Sequence, residues 1–304
     1  MSQVDPTFQI DTLAIVGVGL IGGSFALALQ QAGVVGQVIG VGRQAATLNK
    51  ALELGVIDEI VTPAKAAETA DLIMISAPVG AFEAIFESLA PTLNPKALLT
   101  DGGSTKGNVV AAATKALGSK ITQFVPAHPV AGSHESGPQA ARADLYRDKQ
   151  VVICPLPDNT TAGVDYIKQA WLHCGAYLVD MPVAQHDAVL ASISHLPHWL
   201  ASLYVTHVSR DRHAALNLQM AGAGFGDFSR IAQGSEEMWR DIFTANRPAM
   251  LEQIDQLHTL LEQAKAALVA NDTDWIEAML RESAQVRRAW GQGQLQNESG
   301  DDCL

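Results

Sequence analysis

Two histidines stand among glycines and small side chains in residues 127–137, AHPVAGSHESG. With so few large apolar side chains, this segment is typical of a loop. A histidine titrates near neutral pH and can therefore act as a general acid or base. We take His128 as the catalytic candidate because it directly follows the apolar run ITQFVPA, whereas His134 lies further along the loop and is expected to line the rim of a substrate pocket.

A second polar segment, DGGSTKG (101–107), follows the apolar run ALLT. Ligands of open α/β sheets bind beyond the carboxyl ends of the strands, so we expect the hydroxyl of Ser104 near the imidazole of His128. Ser104 is therefore the second catalytic candidate. Asp101 and Lys106 are interpreted as an ion pair with each other.

The segment Ser194-His195-Leu196-Pro197-His198 adds two further histidines. In a helix, a spacing of three places them on one face, and the proline removes one backbone hydrogen bond. A pair of ordinary helix histidines is the alternative to a substrate site; we favour the site, with Ser194 beside it. Zinc would need a third protein ligand, and no CxxC or HExxH motif is present, so no metal is expected.

Arg230 follows the glycine-rich stretch GAGFGDF (222–228) and lies among apolar residues. Such an arginine either pairs with a carboxylate of its own chain or binds an anionic ligand. Asp227, three residues earlier, is the structural partner that the first alternative requires. We favour the second alternative, in which Arg230 binds an anionic ligand.

A glycine-rich motif, GVGLIGGS (17–24), separates the apolar run TLAIVG from a helical pattern. Its glycines permit a tight turn and the close approach of a pyrophosphate to the helix N-terminus. A glycine turn without a ligand is the alternative. The residues predicted to bind a dinucleotide are Gly17, Gly19, Leu20, Ile21, Gly22, Arg43, Ser76 and Pro78.

The end of the second predicted strand carries Gly42 and Arg43. An NAD site usually has an acidic residue there, which binds the ribose hydroxyls. A carboxylate would repel a 2′-phosphate, whereas a guanidinium binds one in a fork. We therefore favour NADP as the cofactor, with NAD as the alternative, in which case Arg43 only covers the adenine ring.

Short apolar runs alternate with helical patterns up to about residue 180. This predicts an α/β fold: a doubly wound parallel sheet in a dinucleotide-binding domain, residues 1–180. From Val183 onward helical periodicity dominates, which predicts an all-helical substrate and dimerisation domain over 181–304. The polar tail from about 291 is expected to be disordered. The later predicted strands include ITQFVPA (121–127) and VVICP (151–155), and the predicted long helices include 183–210 and 235–270.

Composition limits the classes of partner. The chain has 304 residues and a net charge of −12, and this negative charge argues against a nucleic acid as a binding partner. It contains no run of about 18 apolar residues to span a membrane and no secretory signal. Three cysteines show neither metal-ligand spacing nor the even count of a disulfide framework. We expect a cytoplasmic protein that acts on a small molecule.

The motifs GxGLIGGS, SxPV, DxGSxKG, HPxAG, SHLPH and GxGFxDFxRIA occur in this order between residues 12 and 250. Together they resemble prephenate and arogenate dehydrogenases, the cyclohexadienyl dehydrogenases of tyrosine biosynthesis. The resemblance implies an NAD(P)-dependent oxidative decarboxylation by a homodimer, with a hydride passing from C4 of the substrate to the nicotinamide. It further implies that His128 accepts the proton of the C4 hydroxyl, which Ser104 holds. Arg230 would bind a carboxylate, and His195 and His198 would line the ring pocket.

Two positions depart from the family's pattern. The slot six positions after the catalytic histidine is often acidic, but here it holds His134, with Glu135 next. This leaves the choice between prephenate and arogenate open. Gly42 stands where Asp is frequent, which favours NADP. Because no regulatory segment follows residue 291 and no chorismate mutase segment precedes residue 12, any inhibition by tyrosine is expected at the active site.

Two other functions fit parts of the pattern. A two-domain hydroxyacid dehydrogenase would need a lysine in its helical domain, but none occurs between Lys168 and Lys265. A non-catalytic NADPH-binding sensor would not need His128, Ser104 and Arg230 together. The enzyme is therefore the favoured interpretation.

Overall fold

A computed structural model describes residues 4–132 and 135–293. The described residues up to Met250 form one compact unit, and those from Leu251 onward form a second. His134 lies outside the described residues. So does most of the tail expected to be disordered, which begins at about residue 291.

A six-stranded parallel sheet forms the centre of the first unit, in the order β3-β2-β1-β4-β5-β6. Both faces are buried, because alternate residues of each strand join different apolar clusters: Leu13 and Ile15 of β1 face one cluster, Ala14 and Val16 the other. This confirms the predicted doubly wound α/β fold. The strands are β1 Ile10–Val16, β2 Val35–Val41, β3 Glu59–Ile60, β4 Leu72–Ile75, β5 Leu98–Asp101 and β6 Phe124–Val125. The helices in this part of the chain are α1 Leu20–Ala32, α2 Ala45–Glu53, α3 Pro63–Thr69, α4 Phe82–Leu89 and α5 Gly107–Leu117.

A separate three-stranded sheet follows, made of β7 Ala127–Pro129, β8 Gln150–Ile153 and β9 Tyr177–Asp180, with helix α6 at Thr161–His173 before β9. The prediction that ITQFVPA and VVICP continue the parallel sheet is confirmed only for Phe124–Val125, which form β6; it is wrong for Ala127 and for VVICP, which belong to the second sheet. Residues 118–123 form a 3-10 turn, and β7 runs antiparallel to β8. Pro126, between β6 and β7, has no N–H to donate to a ladder. His128 is therefore the middle residue of a short strand, paired with Val152, and does not lie beyond a strand end.

The described chain from Val183 onward contains no strand, as predicted. Two predicted long helices are broken. The first is interrupted by a π-helical turn, Ala191–His195, immediately before the helix that contains Pro197, which cannot donate a backbone hydrogen bond. The second is interrupted at Asn246. The helices are α7 Val183–Leu190, α8 Leu196–Arg210, α9 Ala214–Gln219, α10 Ala223–Ser229, α11 Glu236–Ala245, α12 Arg247–Ala270 and α13 Thr273–Gly291. None of these described helices is long and apolar enough to cross a membrane.

The second unit consists of most of α12 and of α13. No described residue of α13 is buried. Large apolar side chains on both helices are exposed, among them Leu268 at 70%, Leu280 at 57% and Trp290 at 59%. The apolar surface of this unit is therefore not covered by its own residues.

The turn between β1 and α1 supplies a test of the fold. Gly17 has φ +95°, and a Cβ added there would lie 2.6 Å from the backbone oxygen of Ser76. We expect Gly17→Ala to lower the free energy of unfolding by about 2 kcal/mol or more, because it adds both backbone strain and a clash with backbone. Gly19 is the matched control, since a Cβ there meets no described atom within 4 Å. Urea denaturation of the two variants measures the difference; equal stabilities would contradict this account of the turn.

Candidate active site

A cavity of about 870 Å³ lies beyond the carboxyl ends of β1, β2 and β4. Five of the predicted cofactor residues line it: Gly17, Gly19, Arg43, Ser76 and Pro78. The other three, Leu20, Ile21 and Gly22, are not among the lining residues. Leu20 and Ile21 are half-buried in the first turn of α1, and Gly22 is buried.

The glycine turn in the wall of this cavity fits the pyrophosphate of a dinucleotide. Helix α1 begins at Leu20 with no acidic side chain in its first turn, so its N-terminal N–H groups present an unopposed positive end. Gly19, the cap residue, leaves open space where a side chain would stand. Gly22 serves packing, because a Cβ there would lie 2.1 Å from Oγ of Ser76, which donates to the backbone oxygen of Gly17 at 2.7 Å.

The far wall of the cavity comes from α11, which the sequence patterns did not indicate. Glu237, Arg240 and Asp241 line the cavity. Arg240 donates from Nε and Nη2 to Oδ1 of Asp241, at 3.0 and 2.7 Å. Oδ2 of Asp241 lies 2.9 Å from where a Cβ on Gly80 would stand, so the helix closes directly on the loop after β4. No local motif marks these residues, because only the tertiary fold brings α11 to this edge.

A buried ion pair supports the segment that carries His128. Asp101 and Lys106 are fully buried and bonded to each other, which confirms their predicted pairing. Nζ of Lys106 also donates to the backbone oxygen of Ala127 at 2.7 Å, and Asp101 accepts the backbone N–H of Ala127 at 3.0 Å. The loop that holds the half-buried Ser104 is thus tied to the residue next to His128.

His128 is buried and takes part in a chain of hydrogen bonds. Its Nδ1 lies 2.8 Å from Nε2 of His186, and Nδ1 of His186 lies 2.8 Å from Oδ1 of Asp187. The Asp187 carboxylate also accepts the backbone N–H groups of Lys106 and Gly107, each at 2.8 Å. Neither His186 nor Asp187 was predicted to belong to the site. The adjacent histidine and aspartate in the first helix after Pro182 were the only local signal.

Burial lowers the pKa of His128 well below its ordinary value of 6.5. The positive charges that His186, Lys106 and His195 carry or can acquire act in the same direction. Burial alone would raise the pKa of Asp187, but hydrogen bonds from His186 and the two backbone N–H groups hold it below its ordinary value. At neutral pH the site therefore combines an ionised carboxylate with a neutral His128, the state a general base requires.

His195 and His198 lie on one buried face, as their spacing predicted. Nδ2 of Asn246 lies 3.1 Å from Nδ1 of His195 and donates to the backbone oxygen of Asp187 at 2.8 Å. Burial lowers the pKa of His195 to about 4. His198 stacks on Trp239 with ring centroids 3.6 Å apart, and burial lowers its pKa too. Both imidazoles are thus neutral at pH 7.

The remaining predicted residues are less enclosed. Ser194 is half-buried within the π-helical turn. Arg230 is exposed and is not among the residues that line the 870 Å³ cavity. Within the described chain Arg230 forms no ion pair with Asp227, so that structural alternative is not observed. Across residues 4–132 and 135–293, no group of three or more His, Cys, Asp or Glu side chains is arranged so that it could hold a metal ion.

Comparison with known proteins identifies the family. Residues 25–180 match the family model "Prephenate dehydrogenase, nucleotide-binding domain", and residues 182–282 match "Prephenate dehydrogenase, dimerization domain". Prephenate dehydrogenase of Bacillus subtilis is 36% identical over 270 residues, which are 84% of this chain and 71% of that protein.

Two solved structures agree over most of the chain. Prephenate dehydrogenase from A. aeolicus, in complex with hydroxyphenyl propionate and NAD+, has a TM-score of 0.87 and 32% identity, covering 93% of this chain and 99% of that one. Synechocystis arogenate dehydrogenase has a TM-score of 0.80 and 26% identity, covering 92% and 99%. The resemblance seen in the motifs is confirmed: the chain belongs to the prephenate dehydrogenase family.

Proposed function

We propose that this enzyme oxidatively decarboxylates prephenate, arogenate or both, in tyrosine biosynthesis, with His128 as the general base. The observation that carries the proposal is the buried, neutral imidazole of His128, which is hydrogen-bonded to His186. Residues before about 180 mainly bind the cofactor, and residues after it mainly bind the substrate. Two buried free thiols, Cys154 and Cys174, suit a cytoplasmic protein.

His128 does the proton chemistry. A bound nicotinamide would supply the acceptor for the hydride of substrate C4. The C4 hydroxyl must lose its proton as the hydride leaves, and a neutral imidazole accepts it. Loss of the ring carboxylate as CO2 then leaves a phenolate, to which His128 returns the proton. The ring is aromatic at the end, which makes the reaction irreversible in practice.

The other residues bind and orient the substrate. Ser104 holds the C4 hydroxyl, and Arg230, a guanidinium without a carboxylate partner in the described chain, binds a substrate carboxylate. Because Asn246 occupies Nδ1 of His195, a neutral His195 presents an N–H at Nε2, which can donate to the substrate. His198, stacked on Trp239, borders the ring, with Ser194 beside it.

The proposed cofactor is NADP, with NAD as the alternative. Arg43 lines the cavity at the end of β2, where Gly42 stands in place of an acidic residue that would repel a 2′-phosphate. NAD+ is bound in the A. aeolicus relative. The proposed preference for NADP therefore rests on Gly42 and Arg43 of this chain.

The proposed assembly is a homodimer formed through the helical region. One of the two family matches is named a dimerization domain. The exposed apolar side chains of α12 and α13 supply a surface that a second copy would bury.

The central experiment is steady-state kinetics with prephenate and arogenate, each with NADP+ and NAD+. We expect turnover of at least one substrate, with a higher kcat/KM for NADP+. A protein that binds NADPH but oxidises neither substrate would be a sensor, and the proposed function would be wrong.

Replacement of the proposed base, His128, tests its catalytic role. His128→Asn should lower kcat by about 10²- to 10⁴-fold, because the proton acceptor is lost, while the Kd for the cofactor stays nearly unchanged. In the wild type, the base form exists above the pKa of His128, which lies below 6.5. The kcat should therefore be constant around neutral pH and fall only below pH 6.5. A variant with wild-type kcat, or an acidic limb above pH 7, would contradict the assignment.

Cofactor choice gives the second prediction. Gly42→Asp should shift the ratio of kcat/KM values from NADP+ toward NAD+, because the carboxylate repels the 2′-phosphate and accepts the ribose hydroxyls. A Cβ at this position lies 3.2 Å from Leu48, a flexible side chain, so the substitution is tolerated. Gly42→Asn is the control of equal shape without charge. If the ratio of kcat/KM for NADP+ to that for NAD+ is the same in the Asp and Asn variants, the charge at position 42 does not determine the choice of cofactor.

The assembly gives the third prediction. Leu280→Glu places a charge on the exposed apolar surface of α13 and should convert the dimer to monomer, as measured by sedimentation velocity. Gln285→Glu makes the same change of charge at an exposed polar position of the same helix and should remain dimeric. A monomeric wild type would contradict the proposed homodimer, and a dimeric Leu280→Glu would place the interface elsewhere.

A further inference from the structure

His128, His186 and Asp187 form a chain of hydrogen bonds. His186 lies between His128 and Asp187, 2.8 Å from each, and its side chain is fully buried. A chain of three groups of this kind has defined directions of hydrogen bonding, because a carboxylate can only accept. The directions can therefore be followed from Asp187 outward.

The carboxylate of Asp187 accepts from Nδ1 of His186, so a His186 ring that carries a single proton carries it on Nδ1. Its Nε2 then carries a lone pair and accepts from His128. Consequently Nδ1 of His128 must carry the proton, and Nε2 of His128 holds the lone pair. This is the tautomer that can take a proton from a substrate at Nε2.

Asp187 is itself held in one orientation. Oδ1 accepts from the backbone N–H of Lys106, and Oδ2 accepts from that of Gly107, at the start of α5. Helix N-termini stabilise a negative charge, which keeps the carboxylate ionised. Asn246 binds the backbone oxygen of the same residue. The acceptor end of the chain is thus fixed by backbone groups.

We propose that His186 and Asp187 form a positioning pair that sets the tautomer of His128, leaving its Nε2 as the base, and that shares the positive charge when His128 takes up the proton. This inference rests on the proposed role of His128. His186 is a positioning residue, since it acts through His128 and not on the substrate. When Nε2 of His128 accepts the substrate proton, the Nδ1 hydrogen bond to His186 strengthens, and Asp187 balances the charge through His186.

The tautomer can be measured without any turnover. In protein labelled with 15N-histidine, two-bond 1H–15N correlation spectra distinguish a protonated ring nitrogen from one with a lone pair. The signals of His128 are assigned by their loss in His128→Asn. We expect a proton on Nδ1 and a lone pair on Nε2 in the wild type. A proton on Nε2 would overturn the proposal, even if the enzyme turns over prephenate.

The kinetics of His186 variants are the second test of the positioning role. His186→Leu should lower kcat on the order of 10²-fold, with KM for substrate and cofactor changed less than about twofold, because only the proton acceptor is misdirected. His186→Gln, whose amide oxygen can accept from His128, should recover most of that loss. His207→Leu, an exposed histidine of α8, is the matched control and should keep wild-type kcat.

The outcomes separate the two proposals. Wild-type kcat in His186→Leu, or equal losses in the Leu and Gln variants, would overturn the positioning role. If His186→Leu does not fold, the wild-type spectrum and the Gln variant still decide. A wild type that oxidises neither substrate would overturn the proposed function, while the spectrum would continue to test the tautomer alone.

Discussion

The site depends on one buried residue, Lys106. Its Nζ bonds to Asp101 and to the backbone oxygen of Ala127, and its backbone N–H bonds to Asp187. The loop after β5, the strand that carries His128 and the first helix of the C-terminal region are thereby joined at a single point. Because neither ion of the pair is exposed, loss of either partner would leave an unpaired charge in the interior. These segments must therefore assemble together.

Much of the fold could be predicted because its causes are local. The glycine turn and the alternation of strands and helices each follow from the conformational limits of a few adjacent residues. The second sheet could not be predicted in this way. Its first strand is three residues long and pairs with β8, more than twenty residues later, so no periodicity marks it.

In the candidate site, too, features with local causes could be predicted and features that depend on distant contacts could not. The burial of His195 and His198 on one side of the helix could be predicted from their spacing, and the pairing of Asp101 with Lys106 could be predicted because both lie on one short loop. His186 and Asn246 were missed. Their contacts to His128 and His195 join residues 58 and 51 positions apart, so they depend on which helices pack together. His134 lies outside the described residues, and its expected place at the pocket rim stays a prediction.

Helix α11 links the two halves of the proposed reaction. Glu237, Arg240 and Asp241 line the cavity proposed for the dinucleotide, and Trp239, on the same helix, stacks on His198. Asn246, which caps the end of α11, lies against His195 and Asp187. From residue 237 to 246 the helix advances about 13 Å. Hydride transfer requires the reacting atoms to approach within about 3.5 Å. Helix α11 contacts both the cavity proposed for the dinucleotide and the histidines proposed to bind the substrate. A rigid helix can therefore keep the distance between cofactor and substrate constant. Two separate loops, one for each ligand, would not do so.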